Sequence, residues 1–126
     1  MVYTDMHLAV ELVEAQAAAI VRDLHAIGAD ASAKTIVSGL TTTVSIVING
    51  RDTVQVTIVL HGSGTNLSAV VMHGAEDIEE IGHFIIRLFG GPDEKVRRLM
   101  DRVRAAATDC AARTTPSTRT AQEHDA

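Results

Sequence analysis

The stretch IVSGLTTTVSIVINGRDTVQVTIVLHGSGTNLSAVVMH, Ile36 to His73, alternates along most of its length between two kinds of side chain. One set is Ile36, Leu40, Val44, Ile46, Ile48, Val54, Val56, Ile58, Leu60, Leu67, Ala69 and Val71, which is aliphatic as a buried sheet face requires. The other set is Thr41, Thr43, Ser45, Val47, Thr53, Gln55, Thr57, Val59, His61, Ser68, Val70 and Met72. This second face is too apolar for plain solvent and too polar for a core, so it is expected to meet a partner or a ligand. The period of two predicts antiparallel strands over 35–48, 52–61 and 66–73.

Register follows from keeping the aliphatic side chains together. Asn49-Gly50 normally signals a two-residue type I′ turn, but that loop would set Val44 and Ile46 beside Gln55 and Thr53. An odd loop with Gly50 at a bulge instead keeps Val54, Val56 and Ile58 on their face. Gly62 to Thr65 closes the second hairpin as an even loop, which aligns Val56, Ile58 and Leu60 with Leu67, Ala69 and Val71.

Helical periodicity flanks the strands. Thr4 is a candidate N-cap for a helix running to Ile27 and stopped by Gly28. Met6, Val10, Val13, Ala17, Ile20, Leu24 and Ile27 form one apolar seam along it, and Leu8, Leu12, Ala15, Ala19 and Ala26 form a second stripe on the far side. A helix apolar on two sides is expected to pack twice, against another subunit or the last helix. After the strands, Glu76-Asp77 open an expected second helix with Ile78, Ile81, Ile85, Leu88 and Phe89 inward, ended by Gly90-Gly91-Pro92. A third helix follows, with Val96, Leu99, Met100, Val103, Ala107 and Cys110 inward and a charged outer face from Glu94 to Arg104. From Thr114 the sequence TTPSTRTAQEHDA has no periodicity and reads as a disordered tail over 114–126. The expected fold is therefore α+β: two layers in the order α-β-β-β-α-α, with a three-stranded antiparallel meander covered on one face by helices.

Length and composition bound the function. At 126 residues the chain fits one domain, placed at 1–113, large enough to bury a core without disulfides or metal. One cysteine permits no internal disulfide, the N-terminus lacks a signal-peptide pattern, and no run reaches 18 apolar residues. A cytoplasmic protein with no membrane contact is expected. Residues 1–94 hold four Lys/Arg against twelve Asp/Glu, a charge of −8, whereas residues 95–126 hold seven against four, a charge of +3. The order helix, three strands, helix is similar in topology to double-stranded-RNA-binding domains and to nucleoid-associated YbaB-type proteins, although no motif is shared. Those domains aim Lys/Arg at phosphates, while here the second helix opens on Ala75-Glu76-Asp77 and the aromatics are only Tyr3, Phe84 and Phe89. Nucleic acid is not the expected partner.

No motif names a reaction. His61 and His73 each precede a glycine at a strand end, but the hairpin register places His61 near Asn66 and His73 near Val54, at opposite ends and on opposite faces. His83 sits between Glu79 and Arg87 in a charge ladder, and His7, Glu11 and Glu14 supply no tight coordination set. Gly62-Ser63-Gly64 is followed by a strand, not by the helix a phosphate cradle needs. Cys110 reads as inert packing. No catalytic residue, metal or cofactor is assigned. The leading expectation is a non-enzymatic homo-oligomer, dimer or higher, using Leu8, Leu12, Ala15 and Ala19 of the first helix or Val47, Val59, Val70 and Met72 of the sheet as interface. A second expectation is a metabolite or nucleotide bound between subunits by Thr41, Thr43, Thr57, His61 and His73. A third is a small enzyme with a histidine general base.

Overall fold

Gly28 decides where the first helix stops. In the computed structural model, which describes residues 2–61, 64–74, 77–87 and 93–114, helix α1 spans Val2–Ala26 and Gly28 takes a left-handed conformation at φ 90°. Its N–H donates to the carbonyl of His25 at 3.0 Å and the Ala29 N–H donates to that of Leu24 at 2.9 Å, a Schellman cap that only a residue tolerant of positive φ supports cheaply. The chain then turns into five strands: β1 Ala31–Ser38, β2 Thr41–Ile48, β3 Asp52–His61, β4 Gly64–His73 and β5 Asp77–Arg87, followed by α2 Asp93–Thr114. The strands form one antiparallel meander in chain order. The expected α+β class holds, with both helices on one face of the sheet.

Two elements differ from the expectation. The stretch 35–48 is not one strand but the end of β1, a turn and the whole of β2: Ser38 pairs with Thr41, and Gly39 at φ 62° makes the two-residue turn with Leu40. Because of that turn Ile36 lies opposite Thr43 on the uncovered face, and Ile36 and Leu40 are exposed instead of buried. Within the expected helix from Glu76 to Phe89, the described residues Asp77–Arg87 form β5, paired with β4 from Gly64↔Arg87 to His73↔Asp77. A register shift at Ala69/Val70 leaves Ile81 as an extra residue between Glu80 and Gly82. Leu88, Phe89 and the Gly90-Gly91-Pro92 segment lie outside the described residues, as do residues 115–126 of the expected tail. Thr114 itself ends α2.

The hairpin registers agree with the face argument. Val44↔Val56 and Ile46↔Val54 pair across a three-residue loop, with Asn49 and Gly50 at φ 53° and 67°. Val56↔Ala69 and Ile58↔Leu67 pair across the even loop. These residues meet Val13, Ala17, Ile20 and Leu24 of α1 and Val96, Leu99, Met100, Val103 and Ala107 of α2 in one buried cluster. Gly82 lets α2 approach β5 closely, since a Cβ there would stand 3.1 Å from Leu99 Cδ1. Asp23 of α1 pairs with Arg104 of α2, and the Arg102 guanidinium lies 5.3 Å from the Phe84 ring centre.

Candidate functional site

Two places on this fold offer chemistry, and the first is the face of the sheet that no helix covers. Strand pairing orders its residues into rows. One row is Ser38, Thr41, Val59, Asn66 and Ile85; the next is Ile36, Thr43, Thr57, Ser68 and His83. A third is Lys34, Ser45, Gln55, Val70 and Glu80, and a fourth is Ser32, Val47, Thr53, Met72 and Ile78. The β2, β3 and β4 side chains of these rows are half-buried by their neighbours, apart from buried Ser45. Ile78 is 64 % exposed, Ile36 50 % and Ile85 43 %. Hydroxyls and short aliphatics fill the centre, and larger apolar side chains stand toward the edges.

The second place is the end of the covered face where β3 starts, β4 ends and α2 finishes. Asp52 and His73 are direct cross-strand partners there, with His73 Nδ1 3.3 Å from Asp52 Oδ2. Asp52 is 3 % exposed, an unusual setting for a carboxylate without a partner. Cys110, from the inward stripe of α2, completes a group whose Asp52, His73 and Cys110 donor atoms all lie within 4.8 Å of one another. Arg113, one turn further on, places Nη2 3.1 Å from His73 Nδ1 and 3.9 Å from Cys110 Sγ. On the other side of the imidazole, Nε2 lies 3.6 Å from Glu79 Oε1. A cavity of about 200 Å³ opens beside the cluster, lined by Arg51, Asp52, His73 and Arg113.

Electrostatics decide what the thiol does by itself. Burial pushes the Cys110 thiol up to about 11, and the hydrogen bond and negative charge of Asp52 add to the effect, against a weaker opposing pull from Arg113. A thiol raised in this way is protonated near neutrality and is no activated nucleophile, despite the nearby histidine and aspartate. The three side chains do, however, carry sulfur, nitrogen and oxygen donors suited to a metal.

The structure divides the residues expected to bind a ligand. Thr43 and Thr57 face each other across β2 and β3 with Thr41 two residues along, whereas His73 is on the opposite, helix-covered face. His61 pairs with Gly64 at the far end of the β3–β4 hairpin, and its side chain lies outside the described residues. Of the two candidate interfaces, Val47, Val59, Val70 and Met72 all belong to the open sheet face. The α1 stripe is split: Leu12 packs on the core and Ala19 is half-buried on the same side as Asp23, while Leu8 and Ala15 are exposed. α1 therefore spends part of its second apolar side on α2 within the chain. A further cavity, about 310 Å³, lies between α1 and the β1–β2 turn and is lined by His7, Val10, Glu11, Val37, Gly39, Leu40 and Thr42.

Sequence reasoning missed the Asp52 cluster by two residues of register. It paired His73 near Val54, whereas His73 pairs with Asp52. The available signal was a carboxylate and an imidazole standing in the same alternate set as Val54, Val56, Ala69 and Val71. Compared with known protein families, curated proteins and solved structures, the chain has no significant match in any of the three. Function is therefore argued from these two sites alone.

Proposed function

We propose that this chain is a non-enzymatic assembly protein that self-associates through its open sheet face. The observation that carries the proposal is a five-stranded sheet with helices on one face only. Five strands spaced about 4.8 Å, each about eight residues at 3.3 Å, present about 600 Å². A face-to-face pair buries about 1,200 Å² in total, the low end for specific interfaces, so the dimer is expected to dissociate in the micromolar range.

A second copy of the same chain suits this face by charge. A twofold axis parallel to β3 in the interface lays β1 of one copy on β5 of the other, because it reverses left and right while preserving position along the strands. Lys34 and Glu80 occupy the two edges of one row, so the operation sets each Lys34 against the partner's Glu80. Edge-to-edge pairing is discouraged by Lys34 on β1, by Glu79 and Glu80 on β5 and by the bulge at Ile81. Burying about 400 Å² of apolar surface contributes on the order of 10 kcal/mol before association costs. No described helix is long and apolar enough to cross a membrane, and a lone, buried thiol fits a reducing cytoplasm.

Sedimentation velocity tests the proposal on the wild type and on Thr57→Lys, a substitution at the centre of the face. The wild type is expected to shift from monomer to dimer over the micromolar range. The variant is expected to stay monomeric with an unchanged circular dichroism spectrum. A wild type monomeric at 100 µM, or a Thr57→Lys variant that dimerises as well as wild type, would contradict it; the concentration is about a hundred times the expected dissociation constant.

A further inference from the structure

We propose that Asp52, His73 and Cys110 bind a divalent transition-metal ion of zinc-like character, with one coordination position left open. The three donors come from three elements, so only the tertiary fold assembles them: Asp52 starts β3, His73 ends β4 and Cys110 lies in the last turns of α2. Their chemistry is that of zinc ligands, a thiolate, an imidazole and a carboxylate. Spacing agrees. Two donors each about 2.0–2.1 Å from a tetrahedral ion stand about 3.3 Å apart, and His73 Nδ1 stands 3.3 Å from Asp52 Oδ2. With all three donor atoms within 4.8 Å, closing on one ion asks only for side-chain movements of about 1 Å.

The surroundings supply what three ligands need. With the ion on Nδ1, His73 Nε2 stands 3.6 Å from Glu79 Oε1, within ion-pair distance, so a small movement of the exposed Glu79 side chain supplies the carboxylate that orients a metal-bound imidazole. Cys110 sits near the C-terminal end of the 22-residue α2, where the helix dipole favours a cation. The fourth position faces the cavity of about 200 Å³ beside Arg51 and Arg113, through which water reaches the ion. Of the two guanidiniums at the cavity, Arg113 is the nearer obstacle, with Nη2 3.1 Å from Nδ1, the atom the metal would take. It is half-exposed and already reaches toward Asp109, with Nε 3.6 Å from Oδ2, so it can swing aside. The competing account is a hydrogen-bonded cluster that holds β3, β4 and α2 together without any ion. It makes opposite predictions about Arg113.

Titration of the chelator-treated full chain with Co²⁺, followed by displacement with Zn²⁺, tests the site. The expected result is one ion per chain, with intense visible bands of tetrahedral cobalt and a thiolate-to-cobalt charge-transfer band, all lost on adding Zn²⁺. Cys110→Ala is expected to abolish the charge-transfer band and His73→Ala to weaken binding at least tenfold. Should those variants fail to fold, Arg113→Gln decides: at this exposed position loss of the guanidinium is expected to tighten binding several-fold. A wild type without the charge-transfer band, cobalt binding that survives Cys110→Ala unchanged, or weaker binding in Arg113→Gln would each overturn the proposal.

Discussion

Thr65 Oγ1 is fully buried between Leu60 and Ile86 in the sheet register and has no hydrogen-bond partner among the described residues. A buried hydroxyl without a partner carries its desolvation cost with nothing returned, so an isosteric methyl is the better occupant. Thr65→Val is expected to raise the unfolding free energy by about 1 kcal/mol, measured by urea denaturation. Cys110 makes a prediction of a different kind. Its thiol ordinarily titrates at 9.0 and is pushed up to about 11 in the fold, mainly by burial and then by Asp52. Between those values the unfolded chain has released a proton that the folded chain retains, so stability falls as pH rises, by about 1.4 kcal/mol per pH unit. Below pH 9 the contribution is fully present. Subtracting the stability profile of Cys110→Ala removes the other alkaline groups, and the difference is expected to decline from pH 9 to pH 11. At this scale the sequence was half legible: Cys110 was correctly read as inward, but its neighbours were not, because they depend on a register that hydrophobic alternation fixes only to within two residues.

Among the elements, the turn after β2 does more than reverse the chain. Asn49 holds a left-handed conformation at φ 53°, its N–H donates to the Asp30 carbonyl at 2.6 Å, and its Oδ1 accepts the Asp30 N–H at 2.8 Å. The side chain thus fastens the entry of β1 to the exit of β2. Asn49→Ala loses the hydrogen bond from the Asp30 N–H and meets the left-handed penalty, together about 2–3 kcal/mol. Asn49→Gly relieves the second cost alone, and thermal denaturation is expected to rank it between alanine and wild type. The odd loop here was readable because a two-residue turn would have put Val44 and Ile46 on the wrong face. β5 was not readable for a physical reason. Its bulge at Ile81 breaks the period of two, so Ile78, Ile81 and Ile85 acquire the 3-4 spacing of a helix while pairing as a strand. Four isoleucines between 78 and 86 and a glycine at 82 were the contrary signal, since β-branched residues and glycine suit a bulged strand better than a helix interior.

At the scale of the whole molecule, two helices cover one face of the sheet and leave the other uncovered, the face through which we propose that the chain self-associates. The alternation of Thr and Val in β2 and β3 announced that face, whereas β1 was read only in its last four residues, merged with β2, and β5 was read as a helix, so the edge charges were missed. Those edges make the interface testable. Lys34 and Glu80 stand at opposite sides of the five-stranded sheet, four strand spacings or about 19 Å apart, too far for direct coupling within one chain. The proposed twofold pairing would bring each Lys34 against the partner's Glu80. Zero-length carbodiimide cross-linking followed by peptide mass spectrometry reads this contact directly. A covalent dimer containing an amide between Lys34 and Glu80 is the predicted result, and a protein that stays monomeric or forms dimers lacking that link would contradict the account.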